Sequence, residues 1–141
     1  RASCVAFANR LKLNNVYFVS DPEAANVPLL QALGHVCLLP VRKGAALSSI
    51  PSKLMAYMLS GKPVLATVDA GSDTARCIHE AKCGWVGEPD KIEWLAAKMA
   101  EVLGYSSDVL EAFGSRGRAY GLANFSKSMC VEALAKVVLS S

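Results

Sequence analysis

Four short apolar, β-favouring runs, separated by stretches with helical spacing, restrict this chain to an α/β fold. The runs are Val16-Tyr17-Phe18-Val19, Val36-Cys37-Leu38-Leu39, Val64-Leu65-Ala66-Thr67-Val68 and Trp85-Val86. Strands this short and this uniformly apolar suit a parallel sheet covered on both faces. Between them the periodicity predicts helices. One closes over residues 2–12. Another opens at Asp21-Pro22-Glu23, where Asp21 can cap, Pro22 suits the first turn and Glu23 complements the helix dipole. That helix stops at Gly34. A third opens at Pro51 and ends near Ser60-Gly61. A fourth is capped by Ser72, covers about 73–82 and is followed by Gly84. Beyond the last strand, Glu93–Leu103 is amphipathic. Ser107 starts a further helix, and Ser126 caps a last one carrying Met129, Val131, Leu134, Val137 and Val138. The order is β-α-β-α-β-α-β followed by helices: a doubly wound, mostly parallel, Rossmann-like sheet. Residues 1–141 read as one domain, with C-terminal helices over about 107–141.

With 52% apolar residues the chain has material for a core and is no disordered tail. No apolar run reaches the length of a membrane span, and the start lacks a signal-peptide pattern. The chain begins at Arg1 inside a helical pattern, which suggests a piece of something longer. A net charge of +3 welcomes a phosphate-bearing small molecule. It is too mild and too evenly spread for a nucleic-acid groove, and no aromatic stripe offers bases a surface. The five cysteines form no Cys-x-x-Cys pair, and neither His35 nor His79 stands at ligand spacing from paired cysteines. No metal site is expected. The cysteines read as small buried hydrophobes in a reducing compartment, the cytosol or a plastid stroma.

In doubly wound sheets ligands sit beyond the carboxyl ends of the strands. That rule selects three loops: 20–23, 40–52 and 68–74. In the second, a helix opening at Pro51 leaves the amides of Ser52 and Lys53 without intrahelical partners. Those amides, the helix dipole, the Ser52 hydroxyl and the Lys53 charge together suit an anion. The plain alternative is a capped helix with Lys53 in solvent. Arg42, Lys43 and Gly44 can approach the same ligand, Gly44 by letting the backbone come close; a solvated basic loop is the alternative. On the third helix Leu54, Met55, Met58 and Leu59 form the core face, opposite Lys53, Ala56 and Ser60. Asp69, Gly71, Ser72 and Asp73 line the third loop, where a helix cap explains most of the pattern. His35 precedes a strand at its amino end, and His79 sits within a helix. Neither is expected to be catalytic. The chain lacks a Walker A loop, a Gly-x-Gly-x-x-Gly turn and a Gly-x-Ser-x-Gly elbow.

The run Pro51-Ser52-Lys53-Leu54, then Tyr57-Met58, Ser60-Gly61-Lys62-Pro63-Val64 and Gly84-Trp85-Val86, resembles the C-terminal, donor-binding domain of retaining family-4 glycosyltransferases. The resemblance is nearest to the subgroup with a Pro-Ser-Lys-Leu helix start, which includes enzymes of capsule and exopolysaccharide assembly. Leu11–Phe18 and Asn124-Phe125-Ser126 are similar to the family's flanking elements, so nearly the whole chain is covered.

The resemblance implies the Rossmann-like C-terminal half of a GT-B fold and a metal-independent hexosyl transfer with retention. The donor it implies is a nucleotide-diphosphate sugar of UDP type, with no cofactor besides. It implies a glycan or lipid-linked acceptor reached through an N-terminal domain, and possible placement at a membrane surface through that domain. It puts the donor phosphates at Ser49–Lys53, with Ile50 in the same turn. Two family glutamates, eight residues apart, fall at Ser48 and Ala56, neither of which supplies a carboxylate. The family's first strands, with the Arg and Lys that grip the diphosphate, would precede Arg1, so the chain alone is expected not to turn over. No catalytic residue is assigned. Two other readings stay open: a degenerate, non-catalytic GT-B-like binding module, and an unrelated Rossmann-like regulatory domain.

Overall fold

A computed structural model describes residues 2–20 and 22–139. Its helices are α1 (Ala2–Arg10), α2 (Val27–Leu33), α3 (Ser52–Leu59), α4 (Asp73–Ala81), α5 (Ile92–Val102), α6 (Ser107–Phe125) and α7 (Lys127–Leu139). Its strands are β1 (Cys37–Pro40), β2 (Val64–Thr67) and β3 (Gly84–Gly87). The strands form one parallel sheet in the order β1-β2-β3, with Cys37 opposite Val64 and Val64 opposite Gly84. Parallel neighbours need crossovers, and α3 and α4 supply them.

Strand alternation sorts the side chains by face. Leu39, Ala66 and Val86 point into the core with Leu54 and Met58 of α3 and Ala75, Cys77 and Ile78 of α4. Leu54, Met58 and Ile78 are fully buried, and removing each such side chain from water contributes about 2 kcal/mol. On the other face the Trp94 ring of α5 lies against Gly87. Trp85 packs on Phe113 of α6 with ring centroids 4.7 Å apart. Helix α6 then runs across α3 and α4. Its Arg116 donates to the Lys82 carbonyl at 2.8 Å, giving the C-terminus of α4 a cation.

Several expectations need correction. Val16–Val19 does not join the sheet, and residues 16–20 carry no strand. High β-propensity describes fit to a pleated surface, and among the described residues no strand lies alongside this run. The expected cap Asp21 lies outside the described residues. The helix after it starts later than Pro22: a 3-10 turn spans Ala24–Asn26 and α2 begins at Val27. Pro28 fixes that start, because proline is tolerated in a first turn but not in a helix interior. Gly84 is no helix stop. Lys82 takes the left-handed position (φ 50°) after α4, and Gly84 is the first residue of β3. On α3 the buried stripe is Leu54 and Met58, while Met55 is half-buried and Leu59 is 40% exposed. Cys37, Cys77 and Cys83 are buried, but Cys4 and Cys130 are exposed. They lie on α1 and α7, helices that bury almost nothing. The apolar residues Met129, Val131, Leu134, Val137 and Val138 of α7 are all exposed.

Burial pushes the Cys83 thiol from 9.0 up to about 11, with Arg116 partly opposing the shift. The unfolded chain therefore loses this proton first as pH rises. The sign follows by linkage: stability is full below the unfolded value and declines as pH climbs toward the folded one. Urea unfolding followed from pH 8 to 11 is expected to show a loss roughly 2 kcal/mol larger in the wild type than in Cys83→Ala. Equal losses in the two proteins would remove Cys83 as the cause.

Candidate functional site at the carboxyl ends of the strands

The chain leaves β1 at Pro40 and runs through an exposed loop to α3. Val41 is tied to the sheet by its N–H, which donates to the Thr67 carbonyl at 2.9 Å. Arg42 and Lys43 follow, both exposed. Gly44 turns the backbone through φ +81°, a conformation that favours glycine. A short 3-10 turn, Ala45–Leu47, buries Ala46 in the core. Ser48 and Ser49 are exposed and Ile50 is half-buried against the core. The Ser48 hydroxyl donates to the Ala45 carbonyl at 3.2 Å.

Helix α3 then begins as the sequence predicts. Pro51 is its N-cap, in extended conformation, and has no hydroxyl or carboxylate to offer the first turn. The Leu54 N–H donates back to the Pro51 carbonyl at 2.9 Å. The amides of Ser52 and Lys53 lie ahead of the first intrahelical bond, and both residues are exposed. Helices α4 and α6 differ from α3 here. Ser72 accepts from the Ala75 N–H, Ser106 accepts from the Val109 N–H, and each of those helices carries an aspartate in its first turn. Helix α3 has neither a side-chain cap nor an acidic residue at its start. No side chain of its own first turn therefore compensates its positive end. Ala56, one turn further on, is half-buried. The Ser60 hydroxyl lies 2.8 Å from the Ala56 carbonyl oxygen and 3.0 Å from Gln31 Oε1 of α2, two acceptors that share its one proton.

The predicted residues do not all converge. Lys43 lines a cleft of about 430 Å³ with Asp69, Ala70, Glu88, Pro89, Asp90 and Lys91. Arg42 lines a neighbouring groove of about 260 Å³ that shares Asp90 and Lys91. Ser49, Ser52, Lys53 and Ala56 line neither; Ser49, Ser52 and Lys53 form an exposed shoulder at the start of α3, and Ala56 is half-buried one turn on. Sequence reasoning passed over residues 88–91. The signal was there: the carboxyl-end rule, applied to the strand around Trp85-Val86, points to them. It also passed over the partner of Gly44, whose N–H donates to Asp69 Oδ2 at 2.8 Å. Loop 20–23 follows a run outside the sheet, so the rule does not extend to it. A further cavity of about 540 Å³ is lined by residues of β1, β2, α5 and α6. Leu38, Leu65, Met99, Val102 and Leu110 are among its walls, as is His35.

Among the described residues no group of His, Cys, Asp or Glu is placed to hold a metal ion, and no helix is long and apolar enough to cross a membrane. Beneath α3, burial pushes the Cys37 thiol up, with Lys62 opposing, and pushes the Tyr57 hydroxyl up as well. These groups are protonated at neutral pH, so neither carries a charge there.

No protein-family model and no curated protein sequence matches the chain. A solved structure does: WaaG, a glycosyltransferase involved in lipopolysaccharide biosynthesis. The match has a TM-score of 0.72 and 27% sequence identity, and it covers 94% of this chain. It covers 34% of WaaG, so the chain spans about a third of that protein's length. Parallel sheet, crossover helices and trailing helices thus agree with a known enzyme over almost all of the residues present. The chain has the fold of a Rossmann-like domain of a GT-B glycosyltransferase.

Proposed function

We propose that this domain binds the nucleotide-diphosphate sugar of a glycosyltransferase, with the diphosphate on the exposed start of α3. The observation that carries the reading is the composition of that start: a proline N-cap, no acidic residue, and the free amides of Ser52 and Lys53 beside the Lys53 charge. Such an end favours an anion by charge and by hydrogen bonding. It lies beyond the carboxyl end of β1, where this class of sheet takes its ligands. Arg42 and Lys43 add positive charge one loop away. The glycosyltransferase fold supports a transferase, and WaaG's role in lipopolysaccharide assembly supports a glycan or lipid-linked acceptor. In transfer with retention, the donor's own phosphate would assist the incoming hydroxyl. The protein's part would then be to stabilise the departing diphosphate, work that oriented amides perform without reorganising. Because the chain matches a third of WaaG, donor binding rather than turnover is the activity assigned to it alone.

Two positions favour a second reading, a binding module without catalysis. Ala56 offers no carboxylate to a ribose diol, and Ser48 spends its hydroxyl on the Ala45 carbonyl.

An amide NMR titration with UDP, GDP and ADP tests the proposal. Shifts are expected at Lys43, Ser49, Ser52 and Lys53, strongest with UDP, at an affinity of about millimolar. Absence of shifts at the α3 start with all three nucleotides would sink the donor reading. Should a longer chain carry this domain, binding by the domain with no transfer by that chain would favour the second reading.

A further inference from the structure

The loop that carries Arg42, Lys43 and the approach to α3 is held to the rest of the molecule by very little. Its internal bonds are local: Ala45 N–H to the Arg42 carbonyl, Leu47 N–H to the Gly44 carbonyl, and the Ser48 hydroxyl to the Ala45 carbonyl. Among the described residues one hydrogen bond joins residues 42–50 to another element, from Gly44 N–H to Asp69 Oδ2 at 2.8 Å. Two apolar anchors add to it: Ala46, buried in the core, and Ile50, packed against it. The acceptor stands on firmer ground. Val68 N–H donates to the Gly87 carbonyl and Ser72 N–H to the Asp69 carbonyl, each at 2.9 Å. Ser72 in turn caps α4. Asp69 therefore presents its carboxylate from a turn pinned on both sides. The donor stands where the backbone itself demands glycine: φ is +81° at Gly44, and nothing lies within 4 Å of where a Cβ would be.

We propose that Asp69 is a positioning residue for the donor site, latching the 42–50 loop through the Gly44 amide. The inference rests on the donor reading above. An ionised carboxylate makes the stronger kind of hydrogen bond to a backbone N–H. With the latch made, the loop that leads from Arg42 and Lys43 into the α3 start is held in place before the ligand arrives. Without it the ligand must order the loop, and apparent affinity falls by the fraction of time the loop is in place. A loop ordered only one-tenth of the time binds about tenfold more weakly.

Asp69→Ala removes the acceptor, and Asp69→Asn keeps a carbonyl oxygen that can replace it. Two readouts are taken on this chain: hydrogen exchange at the Gly44 amide without ligand, and the UDP titration. Asp69→Ala is expected to speed Gly44 exchange about tenfold and weaken UDP binding about tenfold. Asp69→Asn is expected to restore most of both. Unchanged exchange in Asp69→Ala overturns the latch. Faster exchange with unchanged affinity overturns its positioning role. Loss of affinity in Asp69→Asn as large as in Asp69→Ala shows that the charge, not the hydrogen bond, matters, and also overturns it. Absence of nucleotide binding by the wild type overturns the donor reading and this role together, an outcome distinct from the other three.

Discussion

Replacing Gly114 by alanine is expected to cost the domain about 3 kcal/mol or more, enough to leave much of it unfolded. Helix α6 crosses α3 with three buried glycines at helical spacing, Gly114, Gly117 and Gly121. A Cβ at position 114 would stand 1.9 Å from the Gly61 carbonyl oxygen and 2.6 Å from its carbon. Both obstacles are backbone, in a turn that is itself fixed by the positive φ of Gly61. No rotamer change relieves such a clash, so the helices must separate. The other two sites grade downwards. At 117 the nearest atom is the Cys83 Cβ at 2.9 Å, and at 121 it is the Met58 Cβ at 3.3 Å. Alanine is favoured over glycine in a helix interior by about 1 kcal/mol. At 121 that gain offsets a small displacement, and Gly121→Ala is expected to be nearly neutral. Urea unfolding of the three variants should rank Gly114 far above Gly117, and Gly117 above Gly121. Equal costs at 114 and 121 would mean that helix propensity, not close approach, sets the role of these glycines.

The same glycines show where the sequence stops being informative. Read locally, glycine inside a helix only weakens it, and nothing in the α6 segment announces that the backbone of the turn after α3 lies against it. Gly84 is a second case. Placed after a helix, it reads as a helix stop, yet its Cβ would lie 1.8 Å from the Val64 carbonyl oxygen. It is a strand residue required by a neighbour twenty positions away. By contrast, β1, β2, β3 and the Ser72 and Ser126 caps were legible, because apolar runs and hydroxyl caps act within a few residues. Val16–Val19 carries the same local signal as β1 but lacks a neighbouring strand, and local signals cannot supply one. The start of α3 was legible for the same reason that the latch was not. An uncapped helix end is written in Pro51-Ser52-Lys53, whereas the bond from Gly44 to Asp69 joins residues 25 apart.

Lys53→Glu should separate an anion site from an ordinary helix start, because the two readings predict different signs. Lys53 is exposed in the first turn of α3, where no acidic residue stands. An acidic side chain there meets the positive end of the helix dipole, worth about 0.3 to 1 kcal/mol of added stability. Structural considerations alone thus predict a slightly higher melting temperature and no other consequence. A bound diphosphate changes the balance. In water, unit charges about 5 Å apart interact by about 0.8 kcal/mol. Changing the side chain by two charges against two phosphate charges shifts binding by about 3 kcal/mol, or about a hundredfold in affinity. The expected result is a variant that melts no lower than the wild type and yet shows no UDP-induced shifts at concentrations that saturate the wild type. Added salt should narrow the difference, since the interaction is exposed and screened. If Lys53→Glu binds UDP as the wild type does, Lys53 is a solvated residue on a stable helix and the diphosphate lies elsewhere. The cleft of Lys43 and Lys91 would then be the next place to test, because it holds two further cations at the carboxyl edge of the sheet, among Asp69, Glu88 and Asp90.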